Sequence, residues 1–284
     1  MTAAVEAGSE REFAYTAGDF ERVRRLIHQR AGIALCAGKR DLVYSRLSRR
    51  LRATGHRRFG DYLDALERGG DADEWQAFVN ALTTNLTSFF REPHHFERLR
   101  ALLTALPRGS RAALWCSAAS TGEEAYSMAI TAAETFGTLS PPVSIVATDI
   151  DTNVLATAAR GVYPLERVAA LPRAQLQRYF RRGVGANEGL CRVIDELRRL
   201  VSFRALNLLA PSWPLRGPLH AIFCRNVMIY FDKPTQRRLI ERFVPLLADG
   251  GVLCLGHSES LPEAGQLLVS EGRTVYRRVF GAQP

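Results

Sequence analysis

The sequence predicts an α/β protein, a parallel doubly wound sheet preceded by a small helical domain. Three observations carry this. Up to about Leu82 the apolar residues recur at helical spacing and no strand pattern occurs. From Ala112 onward, short apolar runs bounded by small residues alternate with helical stretches, the signature of strands joined by crossover helices. The chain has 284 residues, 46% hydrophobic and 24% charged, which suits one large α/β domain or two unequal ones and argues against disorder.

In chain order, Asp19 caps a helix running through Gln29, and Gly32 closes it as a left-handed stop. Asp41 to Ala53 repeats the helical spacing until Gly55. Phe59 to Leu66 and Glu74 to Leu82 follow, separated by a Gly69-Gly70 turn, and the second carries Trp75, Phe78, Val79 and Leu82 on one face. Thr83 to Arg91 (TTNLTSFFR) is rich in residues that compete with helical hydrogen bonding, yet it embeds two phenylalanines, so a packed linker is expected. Pro93 then starts a helix to Leu106. Ala112–Ser117 is the first strand, Glu123–Phe136 a helix, Ser144–Thr148 a buried strand, and Thr152 the start of another helix. Gly161 to Arg199 interrupts the alternation with a Gly-rich turn and a β-like run, Leu190–Ile194, and reads as an inserted subdomain. Leu219–Cys224 is the third strand, Pro234–Leu247 a helix, Val252–Gly256 a fourth strand opened by Gly250-Gly251, and Val275–Phe280 a terminal strand after an Arg-Thr turn.

Ligands of such sheets bind beyond the carboxyl ends of the strands, so the residues there are the functional candidates. After the first strand comes SAASTGEE, small residues followed by Glu123 and Glu124 at a helix start. A phosphate site would present bare amides and a lysine there, and neither GxGxxG nor GxxxxGK[ST] occurs. Carboxylates favour a cationic or amine-bearing ligand, although acids at a helix start also complement its dipole. After the second strand comes Asp149-Ile-Asp151. Asp149 is the candidate acceptor for ribose hydroxyls, while Asp151 suits helix capping. Asn207 could read a purine edge, or simply make a turn. After the third strand, Arg225, Asn226 and Tyr230 close a strongly apolar run and suggest the lip of an active site. A ribose acceptor, an adenine-side Asn and carboxylates in place of a phosphate loop favour S-adenosylmethionine as ligand.

Charge and cysteines bound the alternatives. The formal net charge is +9, and two segments hold all of the excess: +7 between Lys39 and Arg58, and +6 between Arg160 and Arg204. In the first, Arg46, Arg49, Arg50 and Arg52 form one basic face beside the apolar stripe Val43, Leu47, Leu51. Such faces attract acidic protein surfaces or polyanions, or are merely solvated. The five cysteines contain no CxxC, and the six histidines no HxxxH or His/Cys cluster, so neither a disulfide framework nor a metal site is expected. No GxSxG elbow supports hydrolase chemistry. With no apolar run of membrane-spanning length and no secretory leader pattern, the cytoplasm is the expected location.

Taken together in order, LIHQRAGIAL, KRDLVYSRLSRRLR, EWQAFVNALTTNLTSFFREPHHF, ASTGEEAYS, ATDIDTNVL, LQRYF, NLL, IFCRNVMIYF and GHSES closely resemble the chemotaxis protein methyltransferases, which esterify chemoreceptor glutamates. The resemblance runs from about Leu26 to Ser260. It implies a class I S-adenosylmethionine-dependent methyltransferase fold with an N-terminal all-helical domain (1–85), a linker contributing to the cofactor site (86–100) and a catalytic domain (101–284) bearing a small β insert (161–199). Carried over by motif, Asn85, Thr87, Arg91, Glu124, Asp149, Asn207, Leu208, Arg225 and Asn226 would contact S-adenosylmethionine or its product S-adenosylhomocysteine. Arg91 would orient a carboxylate, and Tyr230 would shape the methyl pocket. Arg46, Arg49, Arg50 and Arg52 would hold the acidic methylation helix of a receptor. The sequence has Ala125 where many relatives have Pro, and His28 where an aromatic is common. The insert's GVGANEG lacks the Pro-His of relatives that grip a receptor tail peptide, which leaves tail docking there open. A nucleic-acid methyltransferase is the main rival, encouraged by the basic charge. However, RNVMIYF stands where base-amino methylation uses (N/D)PPY, and the linker has no basic–aromatic stacking platform. An inert adaptor that senses the cofactor is opposed by the complete set of matching residues.

Overall fold

The computed structural model describes residues 11–69, 71–261 and 267–279. The chain divides into two compact units, one ending at Thr83 and the other beginning at Thr84.

The first unit is helical: α1 (Ala17–Ala31), α2 (Arg40–Thr54), α3 (Phe59–Glu67) and α4 (Ala72–Leu82). Asp19 is not the cap of α1. Thr16 is, its hydroxyl accepting from the Asp19 amide at 3.0 Å while the Asp19 carboxylate accepts from the Thr16 amide at 2.9 Å, a reciprocal capping box. Gly32 and Gly55 terminate α1 and α2 at φ of 70° and 73°. Val23, Ile27, Val43, Leu47, Leu51, Phe59, Leu63 and Phe78 are fully buried between the four helices.

The arginines of α2 do not form one clean basic face. Arg46 Nη1 donates to the carbonyls of Leu82 at 3.0 Å and Thr83 at 2.6 Å, satisfying the C-terminal end of α4. Arg50 pairs bidentately with Glu74 of α4, and Arg52 pairs with Glu12. Arg49 is exposed. Sequence spacing locates cations on a helix but cannot show which carboxylates or carbonyls the neighbouring helix brings to them.

The second unit begins with an ordered segment and α5 (His94–Thr104), then β1 (Ala112–Cys116), α6 (Glu123–Phe136), β2 (Val143–Asp149) and α7 (Thr152–Arg160). The insert holds β3 (Val162–Pro164), α8 (Leu165–Val168), α9 (Arg173–Tyr179), β4 (Phe180–Arg182), β5 (Leu190–Val193) and α10 (Asp195–Arg198), and its three strands pair antiparallel in the order β3-β5-β4. Then come β6 (Val201–Ala205), β7 (Leu219–Cys224), α11 (Lys233–Phe243), β8 (Leu247–Leu255), β9 (Leu268–Gly272) and β10 (Val275–Arg278).

The main sheet has seven strands in the order β6-β2-β1-β7-β8-β10-β9. The first five are parallel, and β10 and β9 are antiparallel. Both faces are buried, as the strands' near-continuous apolar character requires. Leu114, Cys116, Ala221, Phe223, Val252 and Cys254 face a core shared with α5 and α6. The alternate residues Trp115, Ile222, Cys224, Leu253 and Leu255 face a core shared with Leu239 and Phe243 of α11.

Three expectations are corrected. The sheet is not wholly parallel. The strand expected at Val252 starts earlier, at Leu247, because α11 ends at Phe243 and Gly250, at φ 73°, is absorbed as an irregularity of register inside β8. The edge strand β9 had no sequence signal, since only its first residue is buried. It pairs with β10 through the Arg273-Thr274 turn, where both residues have positive φ, 49° and 61°. The expected end of the last strand, Phe280, lies outside the described residues, as does Gly70 of the Gly69-Gly70 turn. Among the described residues no helix is long and apolar enough to cross a membrane.

Candidate functional site

The candidate residues gather at the carboxyl ends of β1, β2 and β7, the central neighbours of the sheet. The loop after β1 turns sharply through Ser120, at φ 49°, and Gly122, at φ 99°. A Cβ on Gly122 would stand 2.8 Å from Ala158 Cβ and 2.9 Å from the Tyr163 hydroxyl, so only glycine lets the loop close against α7 and the insert. Glu123 and Glu124 open α6 directly behind it, and both are buried. Glu123 is paired with Arg167 at 3.0 Å and accepts from the Thr121 hydroxyl at 2.6 Å.

The end of β2 supplies Asp149 and Asp151. Asp149 is buried, with Oδ2 accepting from the Ser120 amide at 2.7 Å and Oδ1 from the Asp151 amide at 3.0 Å. Burial pushes its carboxyl up, against the pull of those amides. The Ile150 amide also bonds this carboxylate, whose two oxygens together have about four acceptor sites. Asp151 caps α7 through the amides of Asn153 at 2.9 Å and Val154 at 3.3 Å. It also accepts from Asn85 Nδ2 at 2.8 Å.

That last bond shows why the TTNLTSFFR segment is ordered. The Asn85 carbonyl accepts from the Ser120 hydroxyl at 2.9 Å, and the Phe90 amide donates to Ser127 Oγ of α6 at 2.9 Å. Phe89 packs edge-on against Tyr163 and Phe180 of the insert, with ring centroids 5.2 and 5.5 Å apart. Phe90 and Glu92 take positive φ, 51° and 56°, so the segment bends across the strand ends. Thr87 and Arg91 are half-buried on it, and Arg91 Nη1 donates to the Leu86 carbonyl at 3.0 Å.

Arg225 occupies a position the sequence did not suggest. Its side chain, 1% exposed, is turned into the protein. Nη1 donates to Glu124 Oε2 at 2.7 Å, Nη2 lies 3.4 Å from Glu92 Oε2, and Nη2 also donates to the Arg91 carbonyl. The Cys116 thiol donates to the other Glu124 oxygen at 3.1 Å. One guanidinium therefore ties together the end of β7, the start of α6 and the bent segment. Burial opposes its charge, but Glu124 and Glu92 outweigh burial and hold its pKa above the usual value. Burial likewise pushes the Glu92 carboxyl up, and the Arg225 charge together with hydrogen bonds from His257 more than reverses this.

Asn226, next along, has φ 57°, and Tyr230 is half-buried at the end of a 3-10 turn, Met228–Tyr230. Asn207 makes an Asx turn, its Oδ1 accepting from the Leu209 amide at 2.9 Å, while the Leu208 side chain is buried and its carbonyl accepts from Trp213 and Arg242, both at 3.1 Å.

Sequence reasoning found no histidine cluster, but the fold brings donor atoms of Glu92, His94 and His95 within 4.8 Å of one another. His94 and His95 both turn Nε2 to the Arg273 carbonyl, at 3.0 and 3.2 Å, and Arg225 stands beside Glu92. These are the contacts of a hydrogen-bonded cluster. Burial, helped by the Arg225 charge, pushes His95 down to about 4, so it is neutral at physiological pH.

A doubly wound sheet of five parallel strands with an antiparallel hairpin at one edge, acids opening the helix after its first strand and an acid ending its second, is the architecture of the class I S-adenosylmethionine-dependent methyltransferases. The comparisons narrow this. Residues 85–276 match the family model for the CheR methyltransferase SAM binding domain, and residues 18–83 match that for the CheR methyltransferase all-alpha domain. Chemotaxis protein methyltransferase 2 of Pseudomonas aeruginosa is 54% identical over 266 residues, 93% of this chain and 94% of that one. The chemotaxis protein methyltransferases of Klebsiella aerogenes and Escherichia coli are 51% and 52% identical, covering 97% and 90% of this chain and 96% and 89% of their own. The chain belongs to the CheR methyltransferase family, and it is an S-adenosylmethionine-dependent chemotaxis protein methyltransferase.

Proposed function

We propose that this enzyme methylates glutamate side-chain carboxylates of membrane chemoreceptors from the cytoplasm, forming methyl esters that tune sensory adaptation. The observation that carries the reading is the pair of buried acids, Asp149 at the end of β2 and Glu124 at the start of α6, the second held by Arg225. Ribose hydroxyls suit Asp149, and the positive amino-acid end of S-adenosylmethionine suits the acidic side of the cleft near Glu124. The donor chemistry therefore fits this ligand and repels a phosphorylated one. Asn85, Thr87 and Arg91 on the bent segment, with Asn207, Leu208, Arg225 and Asn226, complete the proposed contact set. For Arg225 the contribution is through its backbone and through Glu124, since its side chain is enclosed.

The cofactor supplies an electrophilic methyl on a sulfonium. Bound there, it would give that methyl to a glutamate carboxylate oxygen, the new oxygen–carbon bond replacing the carbon–sulfur bond and the electron pair remaining with sulfur as a neutral thioether. The nucleophile is already ionised at neutral pH, with an ordinary pKa of about 4.3, so no general base is needed. The protein's work is alignment and exclusion of water, which would solvate both charges and slow their neutralisation. Arg91 orients the substrate carboxylate and Tyr230 shapes the methyl pocket.

Methyl-labelled cofactor should label receptor protein, and the label should be released as methanol at high pH, because carboxyl esters hydrolyse there and N-methyl groups do not. Base-stable label, or label on RNA, would return the enzyme to the amine or nucleic-acid methylating class.

Of the α2 arginines proposed to meet an acidic receptor helix, Arg49 offers the clean test. Changing Arg46 would release the end of α4, and changing Arg50 would strand Glu74. Arg49→Ala should lower receptor kcat/KM by about 1.4- to fivefold at low salt, the worth of an exposed ion pair of about 0.2–1 kcal/mol, with the loss shrinking as salt rises. Kinetics unchanged at low salt would leave Arg49 a solvated surface charge.

A further inference from the structure

The GHSES run at the end of β8 matches the family yet has no part in the site so far. Its Glu259 is 5% exposed, and both carboxylate oxygens are turned to backbone amides. Oε2 accepts from Gly256 N at 2.6 Å and from Asn226 N at 2.9 Å, and Oε1 from Ile229 N at 3.2 Å. Gly256 directly follows β8, whereas Asn226 and Ile229 lie in the loop after β7. One carboxylate thus joins the ends of two neighbouring parallel strands.

The loop it holds is a demanding one. Asn226 sits at φ 57°, in the left-handed region that few residues with a Cβ adopt and that Asn tolerates better than most. The approach is so close that a Cβ on Gly256 would stand 2.4 Å from Asn226 Nδ2, 2.8 Å from Asn226 N and 2.9 Å from Glu259 Oε2. Burial pushes the Glu259 carboxyl up while the amides oppose it. Burying a carboxylate to bind amides that water could have served is a poor route to stability alone, but a good one to a single backbone conformation. The conformation selected is that of Asn226 and of the 3-10 turn that ends at Tyr230.

We propose that Glu259 is a positioning residue for methyl transfer, a staple that fixes Asn226 and Tyr230 at the end of β7 through the backbone. The inference rests on the site reading above, in which those two residues face cofactor and methyl group. Glu259→Gln replaces one acceptor oxygen by a donor, so at least one amide loses its partner while volume and packing persist. S-adenosylhomocysteine affinity and kcat should each fall about tenfold, the scale of one buried charge-assisted bond, while KM for receptor stays within about twofold. Glu259→Asp, which keeps the charge with a shorter reach, should lie between. A purely structural role predicts a lower melting temperature with cofactor affinity and kcat of the folded protein unmoved, and that result overturns the proposal. Should E259Q fail to fold, Gly256→Ala takes its place: its methyl would crowd Asn226 and Glu259 Oε2 alike and spread the same junction without removing the charge, and the same split is expected. Wild-type protein that binds no S-adenosylhomocysteine sinks the site reading and this inference with it. Wild-type protein that binds, beside an E259Q that binds and turns over equally well, sinks the inference alone.

Discussion

Replacing Arg225 by methionine should cost the folded protein about 3–5 kcal/mol, because Glu124 and Glu92 would then share a buried region without their cation. In a chain of this size that lowers the melting temperature by roughly 6–20 °C. The loss should be much larger than for Arg49→Ala, whose side chain is exposed. The double change Arg225→Met with Glu124→Gln should recover part of the loss, since the worst unpaired charge is removed with it. Thermal unfolding followed by circular dichroism decides this. A single mutant within about 1 kcal/mol of wild type would mean that water solvates the two carboxylates or that Glu92 turns out to solvent, and that the three segments do not depend on the guanidinium.

Asp149→Ala should weaken S-adenosylhomocysteine binding by a hundredfold or more. Wild-type affinity is expected in the micromolar range. Bonds from ribose hydroxyls to a carboxylate are charge-assisted and worth about 1.5–3 kcal/mol each, so the loss of two accounts for at least that factor. The Ser120 and Asp151 amides would also lose their acceptor, loosening the loop between β1 and α6. Asp149→Asn keeps one acceptor oxygen and should fall between. Isothermal calorimetry measures both. Binding by Asp149→Ala within about tenfold of wild type would remove Asp149 from the ribose role.

Much of the site was legible in one dimension because the fold sends ligands to strand ends. Once Ala112–Ser117 and Ser144–Thr148 are recognised as strands by their apolar runs, Glu123, Glu124 and Asp149 are marked by position, and the family motif picks Glu124 of the first two. The packed character of TTNLTSFFR was legible too, since two phenylalanines in a polar stretch require somewhere to be buried. Phe89 finds that place against the insert.

What the sequence determined by itself is what depends on neighbours along the chain: helix and strand periodicity, the glycine stops, the turn at Arg273-Thr274, and the alternation that implies a doubly wound sheet. What only the tertiary structure decided is what depends on partners far apart in sequence. Arg225 and Glu124 are 101 residues apart and His94 and Arg273 are 179, and nothing local distinguishes a lip arginine from a buried clamp. The same holds for Arg50, whose partner Glu74 comes from another helix, and for Glu259, whose partners are backbone amides with no side-chain signature. A carboxylate's role is set by which donors the fold delivers to it, and that delivery is a property of packing, not of spacing.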